Sequence, residues 1–305
     1  MTHSPTRPRA LKTRMGLAKR AGKISRALRR CFAWSRAAAT LAAVTLASEP
    51  APDVSPPSAG RAAFGNESVR GIDISASAGE PAFQDFSDLK QQGYHCVIVG
   101  GWGGINRNPH AQVQSSRARS AGLLTAGYCY LNFASGLDGE CQVREAFAAF
   151  GAEAAHLGFL AIDVESDASN QLSLGLQAEP PDASAQRDAV ARIAEAVQAV
   201  QRAGLCPVIY TKKSYWKRVT GNTAAFSSLP LWWTQVGPAS LSEPDLSSPG
   251  WTFGGWTNYA GKQCALQTRA TPSAFPVDLD IFDRGVFAPT NPKREADSVQ
   301  IAVNQ

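Results

Sequence analysis

Two rhythms of apolar and polar positions run along the chain. Short apolar runs recur at 69–75, 95–99, 124–133, 159–165, 206–211, 229–234, 263–268 and 277–282. They are rich in Val, Ile, aromatic residues and Cys and are bounded by Gly, Pro or polar residues, which predicts strands. Between the first five lie segments with helical character at 86–92, 111–121, 142–156 and 185–203, closed in turn by Gly93, Gly122, Gly158 and Gly204. The last is the clearest. Val190, Ile193, Ala194, Val197 and Val200 share its apolar face, and Asp182 or Ser184 is placed to cap its start. Strand and helix therefore alternate through the first two thirds, and strands with loops fill the remainder. Alternating β and α predicts a parallel sheet. Eight strands in one continuous unit predict an α/β fold, a single TIM-like barrel, with a doubly wound open sheet as the alternative.

In such a barrel, function gathers at the carboxyl ends of the strands. Asp73, Trp102, Tyr128, Tyr130, Asp163, Glu165, Tyr210, Trp232 and Asp278 all fall near predicted ends. The run Phe159-Leu160-Ala161-Ile162-Asp163-Val164-Glu165 is the most informative. In a strand, residues two apart share a face, so Asp163 and Glu165 project together while Leu160, Ile162 and Val164 pack behind them. Neighbouring carboxylates repel, and the one in the less polar setting keeps its proton towards neutrality. A general acid needs that property, and glycoside hydrolysis commonly uses a carboxyl pair. The glycine-rich stretch Gly100-Gly101-Trp102-Gly103-Gly104 lacks dinucleotide-loop spacing and reads as a flexible rim around an exposed Trp102.

Composition narrows the function classes. The hydrophobic share of 44% and charged share of 18% are those of a globular chain. The net charge of +5 is a property of the amino terminus alone. Eleven of the 30 Lys and Arg lie in residues 1–48, which hold no acid, leaving 19 against 25 Asp and Glu, a net −6. Nucleic-acid binding is thus not expected of the folded part. Residues 1–48, basic and then apolar at 37–47, are expected to be a targeting leader for export, with an organellar transit peptide as the alternative. The apolar run is too short to span a membrane. The Pro-containing stretch 49–69 is expected to be a linker, 70–288 the barrel and 289–305 a polar tail. The four His (His3, His95, His110, His156) form no metal-binding pair, the six Cys fit no zinc spacing, and no G-x-S-x-G occurs. One disulfide is compatible with export, the remaining thiols being buried apolar residues.

Taken in order, several segments resemble the glycoside hydrolase family 25 lysozymes, the N-acetylmuramidases of the Chalaropsis type. They are Gly71-Ile72-Asp73-Ile74-Ser75, Ala121-Gly122-Leu123, Gly127-Tyr128-Cys129-Tyr130, Ile162-Asp163-Val164-Glu165, Pro207-Val208-Ile209-Tyr210-Thr211, Leu229-Pro230-Leu231-Trp232, Leu266-Gln267 and Val277-Asp278-Leu279-Asp280-Ile281-Phe282. The resemblance covers about residues 70–287. It implies a flattened (β/α)5β3 barrel that cleaves β-1,4 bonds of peptidoglycan after N-acetylmuramic acid, with no metal or cofactor. It further implies Glu165 as general acid, Asp163 as its partner carboxylate, and Asp73 and Asp278 as two more acids of the cleft. Asp280 competes with Asp278 for the last role. Tyr128, Tyr130, Tyr210 and Trp232 would offer surfaces to the sugar, with Trp102 on the rim. The 100–104 stretch stands where the family commonly has a Thr-Glu-Gly type segment, and Ala76-Ser77-Ala78-Gly79 replaces a Gln-Gly pair. The rim that selects the glycan therefore differs. A secreted monomer acting on peptidoglycan or a related amino-sugar polymer is the expectation; the alternative is a barrel that binds glycan without cleaving it.

Overall fold

The computed structural model describes residues 67–167, 170, 181–234, 252–268 and 275–288. These belong to one compact unit, Pro56–Gln305. The segments expected to be a leader (1–48), most of the expected linker (up to residue 66) and the expected tail (289–305) lie outside the described residues.

Eight strands close into a barrel in chain order. They are β1 (Ser68–Ile74), β2 (Cys96–Trp102), β3 (Leu124–Tyr130), β4 (Phe159–Asp163), β5 (Cys206–Thr211), β6 (Leu231–Thr234), β7 (Gly261–Thr268) and β8 (Val277–Asp283). Helices follow each of the first five: α1 (Phe83–Gln91), α2 (Ala111–Ser120), α3 (Gly139–Phe150), α4 (Ala183–Arg202) and α5 (Lys213–Thr220). The first seven strands run parallel, whereas β8 is antiparallel to both β7 and β1. Parts of the β6–β7 and β7–β8 connections, 235–251 and 269–274, lie outside the described residues.

The predicted barrel is therefore found, and the open sheet is not. Two elements differ from expectation. The helix expected at 142–156 is α3 followed by a tighter 3-10 stretch, Gly151–His156. The helix α5 carried no clear sequence signal because only Trp216, Val219 and Thr220 are buried on its two turns. The start of α4 is capped by Asp182, whose side chain accepts from the Ser184 amide.

Alternation along the strands divides their side chains between two cores. Facing inward, Val69, Ile98, Ala126, Phe159, Val208 and Phe282 belong to one buried cluster. Facing outward, Leu160 and Ile162 of β4 are wholly buried, as is the following Val164. Burying each such side chain contributes about 1.5–3 kcal/mol. The apolar interior leaves polar side chains room at one end, where the strands of the parallel set finish. Because β8 runs the other way, its first residues lie beside the last residues of β1. Asp73 accordingly pairs in register with Asp278, and Gly71 with Asp280.

Among the described residues Cys96, Cys129, Cys206 and Cys264 are free thiols, so the disulfide allowed for by export joins no two of them. Among the described residues, no helix is long and apolar enough to cross a membrane.

Candidate active site

At the carboxyl end of the parallel strands is an open cleft of about 120 Å³. It is lined by Asp73, Tyr128, Asp163, Glu165, Tyr210, Trp232, Gln263 and Asp278. The four acids singled out in the sequence thus meet in one place, brought from β1, β4 and β8. The strand geometry expected for the central pair needs one correction. Strand β4 ends at Asp163, and Glu165 lies just beyond it. The segment nevertheless stays extended against β5. The Val164 amide donates to the Tyr210 carbonyl (2.9 Å), and Thr211 Oγ1 donates to the Val164 carbonyl (2.7 Å). Asn170, fully buried, fixes the exit of this segment. Its Nδ2 donates to the carbonyls of Glu165 and Leu131, both at 3.0 Å, and its Oδ1 accepts from the Phe133 amide at 2.9 Å.

Electrostatics in the cleft favour protonated acids. Glu165 is held above its ordinary range by burial and then by the charge of Asp167, with Lys212 opposing. Asp163 is raised by burial and by the neighbouring Glu165, Asp73 and Asp167. Its Oδ1 is buried and meets no hydrogen-bonding partner in the protein. Asp73 is pushed up to about 7, first by burial and next by Asp278, against the relief given by hydrogen bonds from Gln263 and Asp280. Three acids with weakened acidity within one cleft can retain or exchange protons near neutral pH.

A residue absent from the sequence-based candidates ties the site together. Gln263 on β7 donates through Nε2 to Asp73 (2.8 Å) and Asp278 (3.3 Å). Its Oε1 accepts from the Tyr210 hydroxyl (2.9 Å) and Thr234 Oγ1 (2.8 Å). The available signal was a long polar residue beginning an otherwise apolar strand, which does not by itself indicate its partners. Asp167 and Asn170 were likewise absent from the sequence-based candidates.

The aromatic and remaining acidic candidates divide. Tyr128, Tyr210 and Trp232 line the cleft. Trp232 is only 2% exposed, and its Nε1 donates to Asp280 Oδ1 at 2.9 Å. It stands edge-on to Tyr210, with ring centroids 4.6 Å apart, so these two rings brace each other as a wall. Tyr130 is outside the cleft lining; its hydroxyl donates to Asp167 Oδ2 at 2.5 Å. Asp280 is also outside the lining and is fully buried two residues deeper along β8 than Asp278.

Trp102 is a correction. Instead of an exposed rim residue it is 4% exposed and ends β2. A register shift between Gly100 and Trp102 sets it opposite Cys129, on the outer face of the barrel, where Nε1 donates to Gln142 of α3 (3.1 Å). The first two glycines of this stretch lie in the strand, where large rings leave no room for a side chain. A Cβ on Gly100 would come within 2.5 Å of the Tyr128 ring, and one on Gly101 within 2.5 Å of Phe150.

Among the described residues, no group of three or more His, Cys, Asp or Glu is arranged to hold a metal ion.

Comparison with known proteins agrees with this architecture. The solved muramidase of Trichobolus zukalii is 23% identical, with a TM-score of 0.53, covering 70% of this chain and 93% of that one. The lysozyme of Streptomyces coelicolor is 17% identical, with a TM-score of 0.54, covering 72% and 94%. These likenesses establish the shared fold. A curated relative described as probable GH family 25 lysozyme 3, from Dictyostelium discoideum, is 28% identical over 214 residues, 70% of this chain and 40% of that protein. Counting factor 50 of the same organism is 30% identical over 129 residues, 41% of each chain. The chain spans about two fifths of the length of these curated relatives. The family model described as Lysozyme-like protein 1 matches residues 66–264. The chain belongs to this lysozyme-like family.

Proposed function

We propose that the protein is a glycoside hydrolase that cleaves β-1,4 bonds of peptidoglycan, in the manner of an N-acetylmuramidase. The observation that carries this reading is the meeting of Asp73, Asp163, Glu165 and Asp278 in one open cleft at the catalytic end of a barrel. The family resemblance supplies the substrate class.

In this mechanism Glu165 is the general acid. Burial and the Asp167 charge shift it towards the protonated form, and it gives that proton to the glycosidic oxygen as the bond to the anomeric carbon breaks. Positive charge then builds on the anomeric centre. Asp163, or the acetamido oxygen of the sugar, meets that charge, with Asp163 orienting the acetamido group in the second case. Asp73 and Asp278, tied together by Gln263, hold the sugar from the opposite wall. Water completes the reaction and leaves a new reducing end. The sugar-stacking role expected for the aromatics falls chiefly to Tyr128, because Tyr210 and Trp232 are fixed by hydrogen bonds and by each other.

Delivery to a wall outside the cell completes the reading, with residues 1–48 as the address and the barrel acting as a monomer. Incubation of the full-length chain with purified peptidoglycan tests the substrate assignment. Soluble fragments ending in reducing N-acetylmuramic acid are expected. Fragments ending in reducing N-acetylglucosamine would refute the bond assignment, and release only from another amino-sugar polymer would refute the substrate. Pelleting with the wall without any release would favour a glycan-binding barrel.

A further inference from the structure

Beneath the cleft, Asp280 is an acid that the proposed reaction does not use. It is fully buried, and its register partners are Gly71 on β1 and Gln263 on β7. Its Oδ1 accepts from Trp232 Nε1, while Oδ2 is buried and meets no donor. The side chain it does meet is Asp73, another acid. Two ionised carboxylates in contact away from water would repel strongly, whereas one shared proton makes them a donor and an acceptor. Every other facing group is already committed or neutral. Gln263 spends Nε2 on Asp73 and Asp278, and its Oε1 accepts from two hydroxyls. Trp232 has one N–H, given to Oδ1. The thiols of Cys96 and Cys264 are held above their usual range by burial, so they stay neutral and offer no cation. Asp278, on the same face of β8, adds a further negative group and no donor.

We propose that Asp280 is a positioning residue that keeps its proton under the floor of the cleft and donates it to Asp73, holding Asp73 as an oriented acceptor for the sugar. The assignment of Asp73 to sugar binding rests on the glycosidase reading; the proton on Asp280 does not. Burial is the main cause that lifts Asp280, followed by Asp73, and the donated hydrogen bond in turn eases ionisation of Asp73. The floor therefore passes a preference for charge upward without touching substrate. A residue with no donor at this position would leave Asp73 reluctant to ionise, and an amide would supply the missing N–H.

Two full-length variants and a spectroscopic readout test this. Difference infrared spectra of wild type minus Asp280→Asn at neutral pH are expected to show the carbonyl band of a protonated carboxylic acid, shifting on deuteration. Absence of that band would overturn the proposal, whatever the enzyme does to glycans. In activity, Asp280→Asn should keep turnover within about threefold, because the amide still donates. Asp280→Leu should lose about 10- to 100-fold and move the acidic limb of its pH profile upward by about one pH unit. Equal losses in both variants with an unmoved profile would reduce Asp280 to a packing residue and overturn the positioning role. If wild type cleaves no glycan, the glycosidase reading fails and the infrared band still decides where the proton sits. Should Asp280→Leu not fold, the Asp280→Asn spectra and pH profile carry the decision.

Discussion

The barrel's stability should fall as pH rises, and the size of the fall can be worked from Asp73. Its carboxyl ionises at 3.8 in the absence of the fold and at about 7 within it, chiefly because burial removes water and next because Asp278 faces it. Between those values the folded chain holds a proton that the unfolded chain releases, so each step up in pH favours unfolding. The stabilisation is complete below 3.8 and is lost as pH climbs through about 7. At about 1.4 kcal/mol per pH unit, the two units between pH 5 and 7 cost about 3 kcal/mol for this group. Asp163, Glu165 and Asp280 shift in the same direction and steepen the slope, although shared protons keep the four from adding in full. For a domain of this size, 3 kcal/mol corresponds to a melting temperature about 6–12 °C lower. Thermal melts followed by near-UV circular dichroism from pH 5 to 8, at constant ionic strength, measure it. Asp73→Asn provides the control, since the amide can still accept from Gln263 and cannot ionise. That variant should lose part of the slope and melt above wild type at pH 8. A wild-type melting temperature that is flat or rises over this range, or a variant profile parallel to wild type, would refute the reasoning.

Other consequences follow from the hydrogen-bond pattern. Gln263→Leu removes one hydrogen bond from each of two hydroxyls and two carboxyls at once and should destabilise by about 3 kcal/mol or more, read as a lower denaturant midpoint; a loss below about 1 kcal/mol would contradict the assigned network. Asn170→Ala removes two donated bonds and one accepted bond at the exit of the Glu165 segment, with an expected cost of about 3 kcal/mol in the same measurement. Trp102→Phe should cost only about 1 kcal/mol, because Gln142 Oε1 also accepts from the Asn132 amide. It should leave KM for glycan unchanged, and a raised KM would return Trp102 to the cleft.

Some of this was legible in the sequence for clear physical reasons. The D-x-E pair at the end of β4 declared itself because Leu160, Ile162 and Val164 alternate with it and have to be buried on the other side. The barrel followed from strands and helices taking turns, each closing near a glycine. Trp102 was misread because a register shift of one residue reverses the face of a side chain, and the composition of the strand does not reveal it. Asp278 and Asp280, two residues apart, share a face of β8, yet their depths depend on β8 running antiparallel, which its own residues do not state. Gln263 escaped notice because its partners come from β1, β5, β6 and β8, contacts made only once the barrel closes.

The most direct test of the central claim compares wild type with Glu165→Gln, both full-length, on purified peptidoglycan, by counting new reducing ends. The substitution keeps size and hydrogen-bonding capacity but removes the acidic proton, so folding should be retained and turnover abolished, at least about a hundredfold down. Wild-type release that vanishes in a well-folded variant is the predicted result. Substantial release by Glu165→Gln would contradict the account.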